Sequence, residues 1–342
     1  MAKEFDRLSE FNRKRKSQYK KNMKDEEFLK DVNEVLRERE QQHYEATTIE
    51  HPFIFIIGLP RSGTTLMSQL LAYSLDIGYV NNFIARFWLA PVTGIRLFRI
   101  LYGNERSNNF QSDYATTKDL TGIHEFGYFW RHWLNKEKLS DVADLETNKQ
   151  QINWEGLKST LTNMQHEFGK GMCAKNIFGS YHMNELKELL DKVLFVYVER
   201  DPLDAAVSIL EARKKYYEDL NLWWSYAPPE YNEIKDLPCK QQIGGQVYYL
   251  KRFYDKESQK LPNHVMRFQY QDVCERPQDI LDQVRNHLKE QWDYDLQQVK
   301  SFSEGFSYRT YDNLEHEKEE FRKIIHSYEK KENERLFDFD NL

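Results

Sequence analysis

The sequence predicts an α/β fold in which one parallel sheet carries helical insertions. Residues 53–57 and 192–198 are short, continuous apolar runs rich in β-branched and aromatic residues, which is typical of strands buried on both faces. Each run is followed by a turn and then by a stretch with helical spacing of its apolar residues. Strands therefore alternate with helices along the chain, which favours a parallel sheet covered by helices.

Composition excludes several classes of protein. The chain has 342 residues, of which 40% are hydrophobic, enough for one α/β domain with insertions. The net charge of −6 offers no global basic field, so we expect no nucleic-acid partner. The cysteines, Cys173, Cys239 and Cys274, are far apart, which argues for a reducing compartment and against a zinc site. No apolar run approaches the roughly 18 to 20 residues of a membrane span, so a soluble, cytoplasmic protein without a transmembrane segment is expected.

The first motif joins the first predicted strand to a helix through a glycine turn. Gly58, Gly63 and Thr65 have the spacing of a Walker A loop, G-x-x-x-x-G-K-[ST], but Thr64 stands where that motif has its lysine. Without the lysine a triphosphate would lose its main charge partner, and the cation inside the loop is Arg61. Loop amides and the first helical N–H groups have no internal partners and bind anions. The motif therefore predicts a cradle for a short phosphate group.

The second motif follows the strand at residues 192–198. Arg200 stands directly after this strand, Pro202 suits the first position of a helix, and Ser208 lies about two turns further on. A planar guanidinium and a hydroxyl can together bind one phosphate. Two separate phosphate sites without a triphosphate signature suggest a nucleotide that is phosphorylated at both its 5′ and its 3′ ends.

The other elements complete a single domain, residues 47–342, preceded by a charge-dense helical extension, residues 1–46. In that extension Phe28, Val32 and Leu36 recur at helical spacing, so we expect surface helices lying on the domain. The aromatic-rich residues 77–170 are interpreted as an acceptor-binding cap, because an insertion there lies beside the carboxyl ends of the strands. Further strands are predicted at 171–175 and 264–268, helices at 183–190, 205–216, 241–256, 277–288 and 314–334, and a mobile loop or lid at 221–238.

One stretch of the cap has two distinct helical faces. Its apolar face is expected in the core and consists of Phe126, Phe129, Trp130 and Trp133. A different face carries His124, Tyr128 and Arg131.

These motifs resemble those of the sulfotransferases that use 3′-phosphoadenosine-5′-phosphosulfate (PAPS). Residues 60–66 are similar to their 5′-phosphosulfate loop, in the arginine-bearing form of tyrosylprotein and many bacterial sulfotransferases. The step from Arg200 to Ser208 matches their 3′-phosphate motif, and Tyr270 lies in a segment similar to the one after their last core strand. The resemblance implies a three-layer α/β/α fold of the P-loop type, sulfuryl transfer from PAPS to an acceptor, and no metal requirement. Expected PAPS-binding residues are Arg61, Ser62, Gly63, Thr64, Thr65, Leu66, Arg200, Ser208, Tyr270 and Arg309.

The chain also departs from the family pattern. Cytosolic members carry a lysine at the position of Arg61 and an aromatic residue at the position of Leu66. Their Arg-Lys-Gly segment near the C-terminus has no match here beyond the candidate Arg309. Their Lys-Thr-His segment is absent as well. The glutamate base of the tyrosylprotein enzymes corresponds to Asn81 or Asn82, so that role is not transferable.

The catalytic residues must come from elsewhere in the chain. Arg61 is assigned to the leaving phosphate, and Lys175, at a predicted strand end, is a second cation. The general base is expected to be His124 or Glu125, because histidine suits proton transfer at neutral pH and burial can raise the pKa of a glutamate. His182 is the next candidate. The competing structural interpretations are a helix cap for either histidine, an ion pair for Glu125 and a surface position for Lys175.

Two other functions compete with sulfuryl transfer. A P-loop kinase or NTPase would use Glu199 or Asp201 as its Walker B carboxylate, and a non-catalytic nucleotide-binding module would use its N-terminal helices for a partner. The acceptor is expected to be a hydroxyl or amine of a glycan, a lipid or a small molecule, and formation of a homodimer stays open.

Overall fold

The computed structural model describes residues 12–107, 109–110, 117, 119–175 and 178–339. Within them lies a sheet of five strands in the order β2-β3-β1-β4-β5, and every neighbouring pair is parallel. The prediction of a parallel α/β sheet is confirmed. The strands are β1 (Phe53–Gly58), β2 (Gly78–Tyr79), β3 (Met172–Lys175), β4 (Val193–Glu199) and β5 (Val265–Gln269).

Helices make up most of the remaining described chain. The α-helices are α1 (Met23–Gln41), α2 (Thr64–Ser74), α3 (Pro91–Tyr102), α4 (Gly127–Leu134), α5 (Leu145–Gln150), α6 (Trp154–Phe168), α7 (Met183–Leu190), α8 (Pro202–Tyr216), α9 (Tyr231–Ile234), α10 (Cys239–Gln259), α11 (Tyr270–Glu275), α12 (Pro277–Trp292) and α13 (Glu315–Glu332).

The two faces of the sheet are covered by different helices because successive side chains of a strand point to opposite faces. Phe53, Phe55 and Phe195 pack into one core with residues of α4, α6, α8, α10 and α13. Ile54 and Ile56 pack into a second core with residues of α2 and α12. The fold therefore has three layers, with helices on both sides of a buried parallel sheet, as predicted.

The element boundaries follow the sequence patterns closely. Helix α7 coincides with the predicted range 183–190, and Pro202 is the first residue of α8. Strand β2, which lies at the start of the predicted cap, was not predicted. It has two residues and pairs with β3 at the edge of the sheet. The first eleven residues of the predicted extension and residues 176 and 177, after β3, lie outside the described part of the chain.

The N-terminal helix α1 packs on the domain through polar side chains. Asn33 is fully buried, and its amide donates to the carbonyl oxygen of Arg86 at 2.7 Å while accepting from the backbone N–H of Leu89 at 2.8 Å. Phe28, by contrast, is 66% exposed. Helix α1 lies within the residues predicted as a helical extension, but the spacing of its apolar residues does not identify the buried face.

The sheet order explains where a site can form. Strand β1 is central, with β3 on one side and β4, the next strand along the chain, on the other. In such sheets ligands bind at the carboxyl ends of the strands, where the connections diverge to the two sides. Among the described helices, none is both long enough and apolar enough to cross a membrane.

Candidate active site

The glycine loop after β1 is a tight turn closed by contacts on both sides. Arg61 has φ +70° and Gly63 has φ +95°, both in the left-handed region. A Cβ atom on Gly63 would lie 2.1 Å from the ring of Tyr270, and one on Gly58 would lie 2.5 Å from the carbonyl oxygen of Val198. Only glycine permits these approaches without displacing a neighbour. The two glycines of the motif are therefore required by geometry.

The N-terminus of α2 presents unpaired amides at this loop. The first intrahelical bond runs from the N–H of Met67 to the carbonyl oxygen of Gly63 at 3.1 Å. The N–H groups of Thr64, Thr65 and Leu66 precede that bond and have no intrahelical partner. Together with the positive end of the helix dipole, these groups suit an anion.

A direct contact links the two motifs. Arg61 Nε donates to Ser208 Oγ at 3.0 Å, and Arg200 Nη1 donates to the carbonyl oxygen of Arg61 at 2.9 Å. Ser208 is fully buried and also accepts from the hydroxyl of Tyr311 at 3.0 Å. Nothing in the sequence signalled Tyr311, which lies more than 100 residues beyond Ser208.

Both motifs open onto one cavity of about 480 Å³ at the carboxyl ends of β1, β3 and β4. Arg200 lies in its wall, with its guanidinium 4.8 Å from the ring centroid of Tyr270. A second bond from Arg200 reaches the carbonyl oxygen of Arg309. The predicted site residues that line the cavity are Arg61, Gly63, Thr64, Thr65, Leu66, Glu125, Lys175, Arg200, Tyr270 and Arg309. The Ser62 side chain is buried, and its hydroxyl has no hydrogen-bond partner within the part of the chain that the structure describes.

Lys175 connects the glycine loop to Glu125. It ends β3 in register with Ile56 of β1, so its position beside the loop follows from strand pairing. Its ammonium group lies 2.5 Å from Glu125 Oε1 and donates to Thr65 Oγ1 at 3.0 Å. Lys175 is only 8% exposed. The surface interpretation of this lysine is therefore wrong, and Glu125 pairs with a lysine at the cavity.

The two neighbouring candidates for the base have different surroundings. The backbone at Phe126 is left-handed, with φ +55°, immediately before α4. Glu125 lines the cavity, whereas His124 is not part of its wall. His124 Nδ1 instead accepts from the N–H of Phe126 at 2.9 Å, a bond within the turn before α4, whose N-cap residue Phe126 makes no side-chain capping bond. Of the predicted polar face, Arg131 lines the cavity, while the hydroxyl of Tyr128 donates to Glu26 at 2.5 Å.

His182 lies away from the cavity, in the core. It is 1% exposed, its ring is 5.6 Å from that of Trp154, and its Nε2 has no hydrogen-bond partner among the described residues. Burial, aided by the nearby charges of Lys136 and Lys149, lowers the pKa of His182 to about 3.

This lowered pKa predicts a pH-dependent stability. At pH values between this folded pKa and the ordinary pKa of about 6.5, the unfolded chain binds more protons than the folded protein. The free energy of unfolding therefore falls as the pH drops below about 6.5. We expect His182 to account for about 2 kcal/mol of the loss between pH 7 and pH 4.5. Urea unfolding of His182→Leu at both pH values should show a smaller loss than the wild type. An exposed-histidine control, His166→Leu, should keep the wild-type loss, and an unchanged loss in His182→Leu would contradict the prediction.

The segment predicted as a mobile lid forms an aromatic wall of the cavity. The amide of Gln246 donates to the carbonyl oxygen of Tyr226 at 2.7 Å, and Tyr226 donates through its hydroxyl to the carbonyl oxygen of Gly58. Burial raises the pKa of Tyr226 and of Tyr181 well above the usual value, so both phenols are protonated at neutral pH. The aromatic residues in the wall, mostly unpredicted, are Phe178, Tyr181, Tyr217, Trp223, Trp224, Tyr226, Tyr254 and Tyr270.

The carboxylates that a Walker B role would need have other partners. Glu199 lies 3.1 Å from the ammonium group of Lys251, and Asp201 Oδ1 accepts from the N–H groups of Leu203 and Asp204 at the start of α8. Among the described residues, no cluster of three or more histidine, cysteine, aspartate or glutamate side chains is arranged to hold a metal ion.

Known proteins similar to this chain are sulfotransferases. The solved structure of sulfotransferase STF9 from Mycobacterium avium has a TM-score of 0.52 at 14% identity, covering 89% of this chain and 82% of that one. Sulfotransferase STF1 from Mycobacterium tuberculosis H37Rv has a TM-score of 0.47 at 12% identity, covering 86% and 81%. The likeness to STF9 concerns the fold alone, and no curated protein sequence matches the chain significantly. The model of the sulfotransferase family matches residues 52–294, most of the chain, and the protein therefore belongs to the sulfotransferase family.

Proposed function

We propose that this sulfotransferase moves a sulfuryl group from PAPS to a hydroxyl or amine of its acceptor. The observation that carries the proposal is the contact between the two phosphate-type motifs on one cavity. Arg61 Nε lies 3.0 Å from Ser208 Oγ, and Arg200 is bonded to the loop itself. Motifs this close can hold the 5′ and 3′ ends of one nucleoside, whereas sites on opposite sides of the sheet could not.

Polar groups in and around the cavity fit a bis-phosphorylated nucleotide. The Arg200 side chain is only 5% exposed, and its buried Nε has no hydrogen-bond partner among the described residues. A 3′-phosphate beside it would accept from this guanidinium, and Ser208 could add a neutral donor. At the other end, the amides of Thr64, Thr65 and Leu66 would bind the 5′-phosphosulfate. The nearby ring of Tyr270 suits contact with the base or the ribose.

In the reaction, the acceptor oxygen or nitrogen forms a bond to sulfur, the bond from sulfur to the 5′-phosphate oxygen breaks, and the acceptor proton is released. Glu125 takes that proton, because it is the carboxylate among the described residues of the cavity wall. In the structure Lys175 pairs with Glu125. When the donor is bound, the ammonium group of Lys175 moves to contact the negatively charged phosphosulfate. Arg61 and the loop amides stabilise the charge that develops on the phosphate. The products are the sulfated acceptor and 3′-phosphoadenosine-5′-phosphate (PAP).

The proposal predicts that tight binding depends on the 3′-phosphate. We expect calorimetry to show that the wild type binds PAP at least about tenfold more tightly than 5′-AMP or ATP, because Arg200 and Ser208 bind only the 3′-phosphate. Arg200→Ala should lower PAP affinity by about 10- to 100-fold while affecting 5′-AMP far less, and Ser208→Ala should act in the same direction.

A matched arginine outside the cavity provides the control. Arg276 is paired with Asp272 on the surface, so Arg276→Ala should leave PAP binding unchanged. The binding stoichiometry reports the folded fraction of each variant. Equal affinity for PAP and 5′-AMP in the wild type would remove the role assigned to Arg200 and Ser208.

A further inference from the structure

Cations dominate the charged side chains of the cavity wall. Within the described part of the chain, seven cationic side chains line it against one carboxylate, that of Glu125. Four of the cations belong to the elements assigned to the nucleotide: Arg61, Lys175, Arg200 and Arg309. The proposed binding of PAPS gives no role to the other three, Arg15, Arg131 and Lys138.

The three remaining cations come from segments outside the two nucleotide motifs. Arg15 pairs with Tyr217, at the end of α8, in an antiparallel bridge. Helix α8 has 15 residues and begins two residues after Arg200, so its two ends are about 20 Å apart. The N-terminal segment therefore brings the backbone of Arg15 to the end of α8 that is opposite Arg200.

Arg131 lies on α4 and Lys138 follows that helix. Helix α4 begins directly after Glu125 and Phe126. The guanidinium of Arg131 is 5.3 Å from the ring centroid of Phe178, which also lines the cavity. The proposed base thus directly precedes the helix that carries Arg131, and both side chains line the same cavity. A hydroxyl presented to Glu125 would therefore share the cavity with this second group of cations.

Two cations of this second group, Arg15 and Lys138, are not neutralised by carboxylates of the described residues. In the described residues, neither Arg15 nor Lys138 forms a salt bridge, and Arg15 Nε is buried without a hydrogen-bond partner. A buried guanidinium nitrogen without a partner costs free energy, which a bound anion would recover. Several cations in a half-enclosed cavity also raise the local concentration of anions.

We infer that the acceptor is itself an anion: a hydroxyl or amine compound that carries a carboxylate or phosphate group. Arg15, Arg131 and Lys138 bind this group, and aromatic residues of the wall, among them Trp223 and Trp224, contact its apolar part. This inference rests on the proposed function, because it places the donor on the other four cations. A neutral acceptor would leave the second group of cations without a ligand.

Matched pairs of acceptor analogues test the inference on the PAP-loaded protein. The pairs are 4-hydroxybenzoate with 4-hydroxybenzamide, methyl glucuronoside with methyl glucoside, and glycerol 3-phosphate with glycerol. We expect calorimetry to show at least about tenfold tighter binding of the charged member in one or more pairs, and the pair that responds distinguishes a carboxylate from a phosphate.

The variants then assign the preference to residues. The double substitution Arg15→Gln with Lys138→Gln should remove most of the preference while PAP affinity stays unchanged. Arg13→Gln removes an exposed arginine two residues away that does not line the cavity, and it should keep the preference. If PAP binds but no charged analogue binds more tightly than its neutral partner, or if the double variant keeps the preference, the inference about the acceptor is overturned and the proposed function stands. Absence of PAP binding would overturn the proposed function and this inference together.

Discussion

Glu125→Gln should lower kcat by about a thousandfold while PAP affinity stays close to that of the wild type. The substitution keeps the size of the side chain and an oxygen that can accept from Lys175, 2.5 Å away in the wild type. It removes the ability to take a proton from the acceptor. Because binding of the nucleotide depends on other residues, the loss should appear in kcat, and single-turnover measurement with saturating PAPS separates chemistry from binding.

His124→Gln is the matched control for this prediction, because it changes the adjacent residue. His124 Nδ1 accepts from the backbone N–H of Phe126, and its side chain is not part of the cavity wall. We therefore expect kcat close to the wild-type value and a small loss of stability, about 1 kcal/mol or less, from the lost hydrogen bond to Phe126. An inactive His124→Gln beside an active Glu125→Gln would assign the base to the histidine.

Arg61→Ala should lower kcat/KM by about 100- to 1000-fold, since it removes the cation assigned to the leaving phosphate. The fold should tolerate the change. Arg200 donates to the carbonyl oxygen of Arg61, which alanine retains, and Ser208 keeps its bond from Tyr311. Arg61→Lys keeps the charge but loses the planar fork, so we expect it to recover part of the activity.

The division of the loss between kcat and KM tests what Arg61 does. An interaction made only in the transition state lowers kcat and kcat/KM equally. A variant Arg61→Ala with an unchanged kcat and a raised KM for PAPS would show that the arginine binds the ground state instead. Thermal unfolding of the variant, which should match the wild type, excludes misfolding as the cause.

Local patterns in the sequence predicted the elements that carry the nucleotide motifs. The apolar run, glycine turn and helix around Gly63 depend on neighbours within a few residues, and the same holds for Arg200, Pro202 and Ser208. Such patterns are set by backbone conformation and helical period, which the chain specifies locally. For this reason helix α7 was predicted over the same residues as the structure shows.

Features that depend on contacts between distant parts of the chain were not predicted from the sequence, or were predicted only in part. Strand β2 has only two residues, too few to show a period, and exists because it pairs with β3. Helix α1 was expected from its composition, but its buried face is defined by Asn33 bonding to backbone groups more than 50 residues away. Tyr311 reaches Ser208 from a loop whose sequence carries no motif.

The amino-acid sequence by itself determined the class of fold, the shape of the phosphate loop and the identity of the cations beside it. Only the tertiary structure distinguished the two adjacent candidates for the base: it placed Glu125 in the cavity wall beside Lys175, while His124 accepts from the backbone N–H of Phe126. It also brought Arg15 from the N-terminal segment to the wall of the same cavity. The physical reason is that local periodicity defines strands and helices, whereas the direction of a side chain at a loop depends on a turn such as that at Phe126 and on which strands pair.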